Sequence, residues 1–432
     1  MSAIWRRVPS GDIQNNMPTL KNHASDASVR APVPDQRLPI LVAARNAKMA
    51  RSAHAYVRGN TARFYDWLDS VERVALPEGP SVWICGDCHI GNVGPVADVH
   101  GDLAIEIRDF DQTVVGNPAH DLVRLGLSLA SAARGSDLPG VVTARMIEQL
   151  SLGYTDAFAP RKVSRPLLKP LTVAQAMREA KQRTWRHLAR ERIEGATRKI
   201  PLGKRFWPVS EAERESVQRL VHGAEVHSLV TRLSHRDNAA EVRMLDVAYW
   251  MKGCSSLGRL RYAVLVDVGR DTAQGRDFCL LDIKEAITAV APHDRDEGLM
   301  PPDNANRVVA GAKAMSPFLG SRMHADRVLR RSVFVRELLP QDLKLEFSQL
   351  TVDEAMTAAY YLARVVGASH ARQMDEATRK AWRKELVSSH SKVIDAPPWL
   401  WTSVVELVAS HEKGYLDHCR RYALATSTAA PR

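Results

Sequence analysis

The stretch CGDCHIGNVGP, Cys85 to Pro95, constrains this chain more than any other. Before it lies SVWIC (81–85), a short apolar run that ends at Gly86 and reads as a buried strand. After it, Leu103, Ile105 and Ile107 alternate with Ala104 and Glu106, the period of a second strand. Gly91 and the Val93-Gly94 pair argue against a helix between them, and His100-Gly101 supplies a turn. IRDFDQ (107–112) follows at once. Polar residues therefore gather on a loop between strands and just past the second strand, where a rigid scaffold presents chemistry.

The spacing of those residues suits phosphoryl transfer. Asp87 and Asn92 stand five positions apart (92 − 87 = 5), and Asp109 and Asp111 follow downstream. One carboxylate can orient the attacking hydroxyl and accept its proton. An amide oxygen and a second carboxylate can hold Mg²⁺ against phosphates. Taken singly, Asp87 and Asn92 read equally as turn residues bonded to their own backbone, and Asp109 as a helix cap. The ordered set favours function. His89 reads as an anchor for the loop. Asp121, at the head of an apolar helix, reads as an N-cap or as a buried acceptor bracing the loop.

The rest of the chain alternates long helical stretches with a second group of strands. Residues 1–38 are polar, with Pro32 and Pro34 near the end, and read as a flexible arm. Helix is expected over 41–68 with a break at Arg58-Gly59-Asn60, over 121–133, 141–158, 172–195 and 304–315, and from 351 to about 423. Pro397-Pro398 precedes the last helix. YAVLVDV (262–268), DFCLLDI (277–283) and SVFVRE (332–337) read as strands. The 432 residues suggest two or three lobes.

Composition sets bounds. Apolar residues make up 45% and charged residues 25%, the proportions of a soluble globular enzyme. No apolar run is long enough to span a membrane, and the first twenty residues lack the apolar centre of a secretory signal, so a cytoplasmic protein is expected. Five cysteines give no disulfide framework. The net charge of +11 fits either a nucleic-acid partner or a surface that holds nucleotide phosphates or an acidic substrate. In and just before its densest part, 178–206, Val173, Met177, Thr184 and Leu188 recur at helical spacing, so a solvated helix face is the favoured reading.

Cys85-Gly-Asp-Cys88-His89 matches redox and c-type haem spacings, but no helix follows it and no second ligand pair accompanies it, so coincidence is the better reading. Gly253-Cys-Ser255-Ser256-Leu-Gly258 precedes a strand. It is either a hairpin entry or a turn whose amides approach phosphates. Lys284 ends a strand, either solvated or reaching the phosphates of a nucleotide. Arg58 in YVRGN and His370-Ala-Arg372 are candidate substrate or phosphate contacts, though such residues are more often structural.

CGDCHIGN followed by IRDFDQTVVGNPAHDLVRL resembles the signature of the aminoglycoside phosphotransferase and choline kinase group, H-G-D-x-H-x-x-N, then I-D-F/W, then D-P-x-x-D-L, with Cys85 in place of His. Most of 40–375 is also similar to a bacterial family of uncharacterised proteins, through YVRGN, GDCHIGN, RDFDQ, KGCSSLGRLRY, IKEA and SHARQ. The resemblance implies Asp87 as catalytic base with His89 beside it. Asn92 and Asp109, joined by Asp111, become metal ligands, and Asp121 the buried brace. Lys284, the turn residues Gly253, Ser255, Ser256 and Gly258, and Glu337 are assigned to ATP, while Arg58, His370 and Arg372 support the site. It implies an α+β, two-lobed, protein-kinase-like fold. In kinases the Gly-rich turn and its Lys precede the catalytic loop. Here they follow it, so the order is circularly permuted. The implied parts are an arm (1–38), a helical lobe with the catalytic and metal loops (39–239), a small β-rich nucleotide lobe (240–345) and the completion of the helical lobe (346–432).

The expected activity is ATP- and Mg²⁺-dependent phosphoryl transfer to a small-molecule or protein hydroxyl. A nucleotide-binding pseudokinase, nucleotidyl transfer and a basic nucleic-acid-binding protein stay open. Ser255 in the turn, Asp282 two residues before Lys284, and Ala310 where the helix would carry a Glu depart from the pattern.

Overall fold

The computed structural model describes residues 32–70, 76–160, 165, 167–192, 199–233, 236–269, 278–292, 300–345, 347, 350–388 and 395–423. Helices come first: α1 (Pro34–Met49), α2 (Ala53–Gly59) and α3 (Thr61–Ser70). Four short strands follow, β1 (Val82–Ile84), β2 (Val93–Ala97), β3 (Leu103–Ile107) and β4 (Val114–Gly116). Then come α4 (Ala119–Gly135), α5 (Gly140–Asp156), α6 (Leu171–Gln182), α7 (Trp185–Arg192), the two-residue β5 (Phe206–Trp207), α8 (Glu211–Val221) and α9 (Ala224–Thr231). The main sheet is completed by β6 (Val242–Trp250), β7 (Arg261–Val268), β8 (Phe278–Glu285), β9 (Met323–Val328) and β10 (Arg331–Glu337), with α10 (Asn304–Met315) and α11 (Pro317–Gly320) between β8 and β9. The chain closes with α12 (Val352–Ala371), α13 (Glu376–Ser388) and α14 (Pro398–His418). The class is α+β, as expected.

The six-stranded sheet runs β5-β6-β7-β8-β10-β9, antiparallel throughout. Alternation gives it two unlike faces. On one, Tyr262, Val264, Val266, Ile283 and Val335 pack against Val217, Leu220, Val226 and Val230 of α8 and α9. On the other, Ala263, Leu265 and Leu280 meet Leu188 of α7 and Leu338. A third core joins the helices: Leu122, Leu125, Leu150, Leu362 and Val404 come from α4, α5, α12 and α14. Two small ribbons, β1-β4 and β2-β3, also pack into this helical core.

Several expectations shift. The expected arm ends earlier, because Pro34 occupies the first turn of α1 and there favours helix. Residues 1–31 and the tail from 424 lie outside the described residues. The loop before β3 contains strand β2, hidden in sequence by Gly94 and Pro95; a two-stranded ribbon has a free edge that tolerates proline. Strands β6 and β9 were not foreseen. The helix expected over 172–195 is broken at Arg183-Thr184, so Thr184 is exposed, while Val173, Ala180 and Leu188 are buried. Arg178, Glu179, Lys181 and Arg186 around them are exposed, whereas Arg183 is partly buried; residues 193–198 lie outside the described residues.

Candidate active site

The loop after β1 is held from below. Gly86 has φ +73°, and a Cβ there would fall 2.0 Å from the Gln112 carbonyl oxygen, so the turn requires glycine. Asp121, one per cent exposed on the first turn of α4, accepts from the Cys85 amide at 2.7 Å and the Gly86 amide at 2.9 Å. His370 Nε2 lies 3.2 Å from the same carboxylate, and His370 Nδ1 lies 2.9 Å from the Tyr154 hydroxyl. Tyr65 donates to the Gly86 carbonyl at 2.5 Å. Of the two readings open for Asp121, the buried brace holds. His370 serves it from α12. Arg372 is elsewhere: it donates to the Met315 carbonyl at the end of α10.

Asp87 is held by a residue the sequence reading missed. Arg124, fully buried, reaches the Asp87 carboxylate with Nη2 at 2.8 Å and Nε at 3.0 Å, and donates to the Val57 carbonyl at 2.6 Å. The available signal was an arginine three residues past Asp121 within an apolar helix. Burial pushes the Asp87 carboxyl above its ordinary range, with Arg124 opposing. Asn92 donates its Nδ2 to the Asp87 carbonyl at 2.9 Å, which leaves its amide oxygen as the free acceptor. His89 accepts from the Gly91 amide through Nδ1 at 3.1 Å. Burial, then Arg58 and Arg124, lower its pKa well below the usual value, so it is a neutral anchor rather than a proton carrier.

The lysine strand meets this loop. Lys284 Nζ lies 2.5 Å from Asp111 Oδ2 and 3.3 Å from Asp109 Oδ1, across 175 positions of sequence. Asp109 is 43% exposed. The desolvation it does suffer is outweighed by Lys284 and then Arg336, which hold its carboxyl well below the usual range. Asp111 is more enclosed; burial, then the charge of Asp109, push its carboxyl up. Its Oδ1 is buried with no hydrogen-bond partner. Among the described residues no three His, Cys, Asp or Glu side chains converge on a metal position. The Asp109 carboxylate, the orphaned Asp111 oxygen and the Asn92 amide oxygen are nevertheless the hard donors a divalent cation such as Mg²⁺ prefers.

A cleft of about 380 Å³ opens beside these residues, lined by His89, Asn92 and Asp109 on one wall and by Gly253, Ser255 and Ser256 on another. Lys284 lies against its edge through Asp109. Gly253 has φ +90° and Gly258 φ +99°, so the turn does use glycine where backbone demands it. Ser256 Oγ folds back onto the Lys252 carbonyl. Gly258 approaches Leu38 of α1 and takes no part in the cleft.

Glu337 does not join the site. In the β8-β10 register Phe334 faces Lys284 whereas Glu337 faces Leu281. Three residues along a strand reverse the face, and Glu337 is taken by Arg236 at 2.9 and 3.0 Å. Asp282, on the Lys284 face, is fully buried between Arg261 (2.6 and 2.8 Å) and Arg336 (3.0 Å). The Cys85 and Cys88 thiols are buried and unbridged. Hydrogen bonding to Cys88 and burial push the Cys85 thiol well up, away from the thiolate form in which a cysteine is reactive.

The family described as "Uncharacterized protein conserved in bacteria (DUF2252)" matches residues 37–421, and the chain belongs to it. No curated protein and no solved structure matches the chain. No helix among the described residues is long and apolar enough to cross a membrane.

Proposed function

We propose that this protein is a kinase-like phosphotransferase that moves a phosphoryl group from ATP to a hydroxyl. The observation that carries the reading is the meeting of Lys284 with Asp109 and Asp111, two motifs remote in sequence, within 3.3 Å. The fold we assign is a two-lobed, permuted relative of the kinase arrangement. Its sheet of 206–337 acts as the nucleotide lobe, and the helices on either side of it in sequence make up the other lobe. The brace of Asp121 under the Cys85-Gly86 turn supports the same resemblance.

In this mechanism Asp87 accepts the proton of the acceptor hydroxyl, and Arg124 fixes its carboxylate in one orientation. Asn92 holds the loop closed onto the Asp87 carbonyl. Lys284, released from Asp111, offsets charge on the phosphates. Asn92, Asp109 and Asp111 would hold a divalent cation, which when bound supplies further charge neutralisation at the phosphates. The protein's contribution is positioning plus electrostatics.

Transfer or ATPase turnover by the purified chain with Mg²⁺, compared with D87A, tests this. We expect a loss of about 10²-fold or more in turnover with nucleotide affinity retained. Wild-type turnover in D87A would sink the assignment. A second reading, a nucleotide-binding module without catalysis, draws on the 2.5 Å contact that ties Lys284 to Asp111. ATP binding without turnover by the wild-type chain would favour it.

A further inference from the structure

The charge of the cleft exceeds what a donor nucleotide requires. Eight Lys or Arg side chains line it against a single carboxylate, Asp109. Some of these cations are already engaged. Arg261 and Arg336 share the buried Asp282, Arg108 donates to the Asp342 carbonyl, and Lys48 donates to the Gly253 carbonyl. Lys252 lies over the Trp250 ring. Three remain: the side chains of Arg51, Arg58 and Lys344 make no hydrogen bond or ion pair among the described residues.

Arg58 is the most informative of the three. It is half-buried, and its guanidinium lies against the loop so closely that a Cβ on Gly91 would meet it at 3.0 Å. The preceding residue, Val57, supplies the carbonyl that anchors Arg124, the partner of Asp87. An unpaired cation at half burial calls for an anion. Its field is felt by its neighbours: Arg58 is among the causes that lower His54, His89 and Lys344, after burial in each case.

We infer that the acceptor is itself an anion, a small hydroxyl compound bearing a phosphate or carboxylate, with its charged end held by Arg58 and with Arg51 and Lys344 on the rim. This rests on the phosphotransferase reading above. In the step, the acceptor hydroxyl gives its proton to Asp87. Its oxygen forms a bond to the terminal phosphorus of ATP, the bond from that phosphorus to the bridging oxygen breaks, and ADP leaves with that electron pair. A cationic acceptor finds no welcome here, because Asp109, the only carboxylate lining the cleft among the described residues, is already paired with Lys284.

Calorimetric titration of the full chain, saturated with Mg²⁺ and a non-hydrolysable ATP analogue, tests the inference. Glycerol 3-phosphate and inorganic phosphate are the probes; glycerol and choline are the neutral and cationic controls. We expect both phosphates to bind and both controls to fail. R58Q should weaken the phosphates at least tenfold while analogue affinity stays within threefold, and R58K should recover part of the loss. No phosphate binding, phosphate binding unchanged in R58Q, or choline binding more tightly than glycerol 3-phosphate would each overturn it. Absence of analogue binding in the wild type would instead strike the phosphotransferase reading. R58Q-sensitive phosphate binding without the analogue would then still support the anion site.

Discussion

At the residue scale, Asp121 does more for the site than any residue that faces the cleft. It satisfies two backbone amides in a turn that only Gly86 can make, and it meets His370 from a helix 249 positions away. Removing it strands these donors in the interior, where each unsatisfied group costs about 1–3 kcal/mol. D121A should therefore lower the unfolding free energy by about 3 kcal/mol, read from urea midpoints at unchanged slope. A loss below about 1 kcal/mol would mean that water or another side chain takes over. The same neighbourhood shows what sequence can convey. Asp87, Asn92, Asp109 and Lys284 were legible because turn glycines and strand ends flank them. Arg124 was not, because a buried arginine in an apolar helix looks like a solvated one until its partner is known. Glu337 was misjudged because strand parity, not proximity in sequence, decides which wall a side chain joins.

At the element scale, helices were legible where apolar periodicity was sustained, as in α4, α5 and α12. They failed where one pattern concealed a break, as between α6 and α7. The ribbon strand β2 was concealed by its own glycine and proline. What no periodicity shows is how close two helices come. A Cβ on Gly153 of α5 would lie 2.2 Å from the Tyr360 carbonyl oxygen of α12, and a Cβ on Gly367 would lie 2.7 Å from the Ala157 Cβ. The two helices touch backbone to backbone, and α12 carries the His370 that supports Asp121. G153A forces them apart. The expected cost is about 1–3 kcal/mol, seen in thermal unfolding, together with weaker nucleotide binding as the brace loosens. A stable G153A protein with wild-type binding would separate helix packing from the site. G101A, at an open turn with no atom within 4 Å of the new Cβ, serves as the contrast, although its φ of +88° still carries backbone strain.

At the scale of the whole molecule, acid is the condition that should test the fold. His411 of α14 is buried, its Nδ1 lies 3.0 Å from the Leu407 carbonyl, and its Nε2 has no partner. Burial, then Arg124 of α4, lower its pKa to about 3, with Arg63 of α3 adding to the effect. His54 of α2 lines the same cavity of about 410 Å³ and is lowered to about 4 by burial, then Arg58 and Arg124. Both rings are neutral in the folded chain at pH 7. Their folded pKa values lie below the unfolded value of about 6.5, so the unfolded chain binds protons first as pH falls. Their stability contribution is complete above about pH 6.5 and is lost progressively toward pH 3–4, at up to about 1.4 kcal/mol per pH unit for the buried His411. The half-buried His54 adds less. A net charge of +11 also opposes compactness in acid. Salt tells the two apart, since it screens surface repulsion and leaves the cost of a buried imidazolium in place. In 0.5 M salt the urea midpoint should still fall between pH 7 and pH 5, and H411Q should flatten that fall because glutamine takes up no proton. Equal slopes in H411Q and the wild type would move the origin of acid sensitivity away from this cavity and onto carboxylates that neighbouring cations, outweighing burial, hold below the usual range, Asp109 beside Lys284 and Asp282 between Arg261 and Arg336.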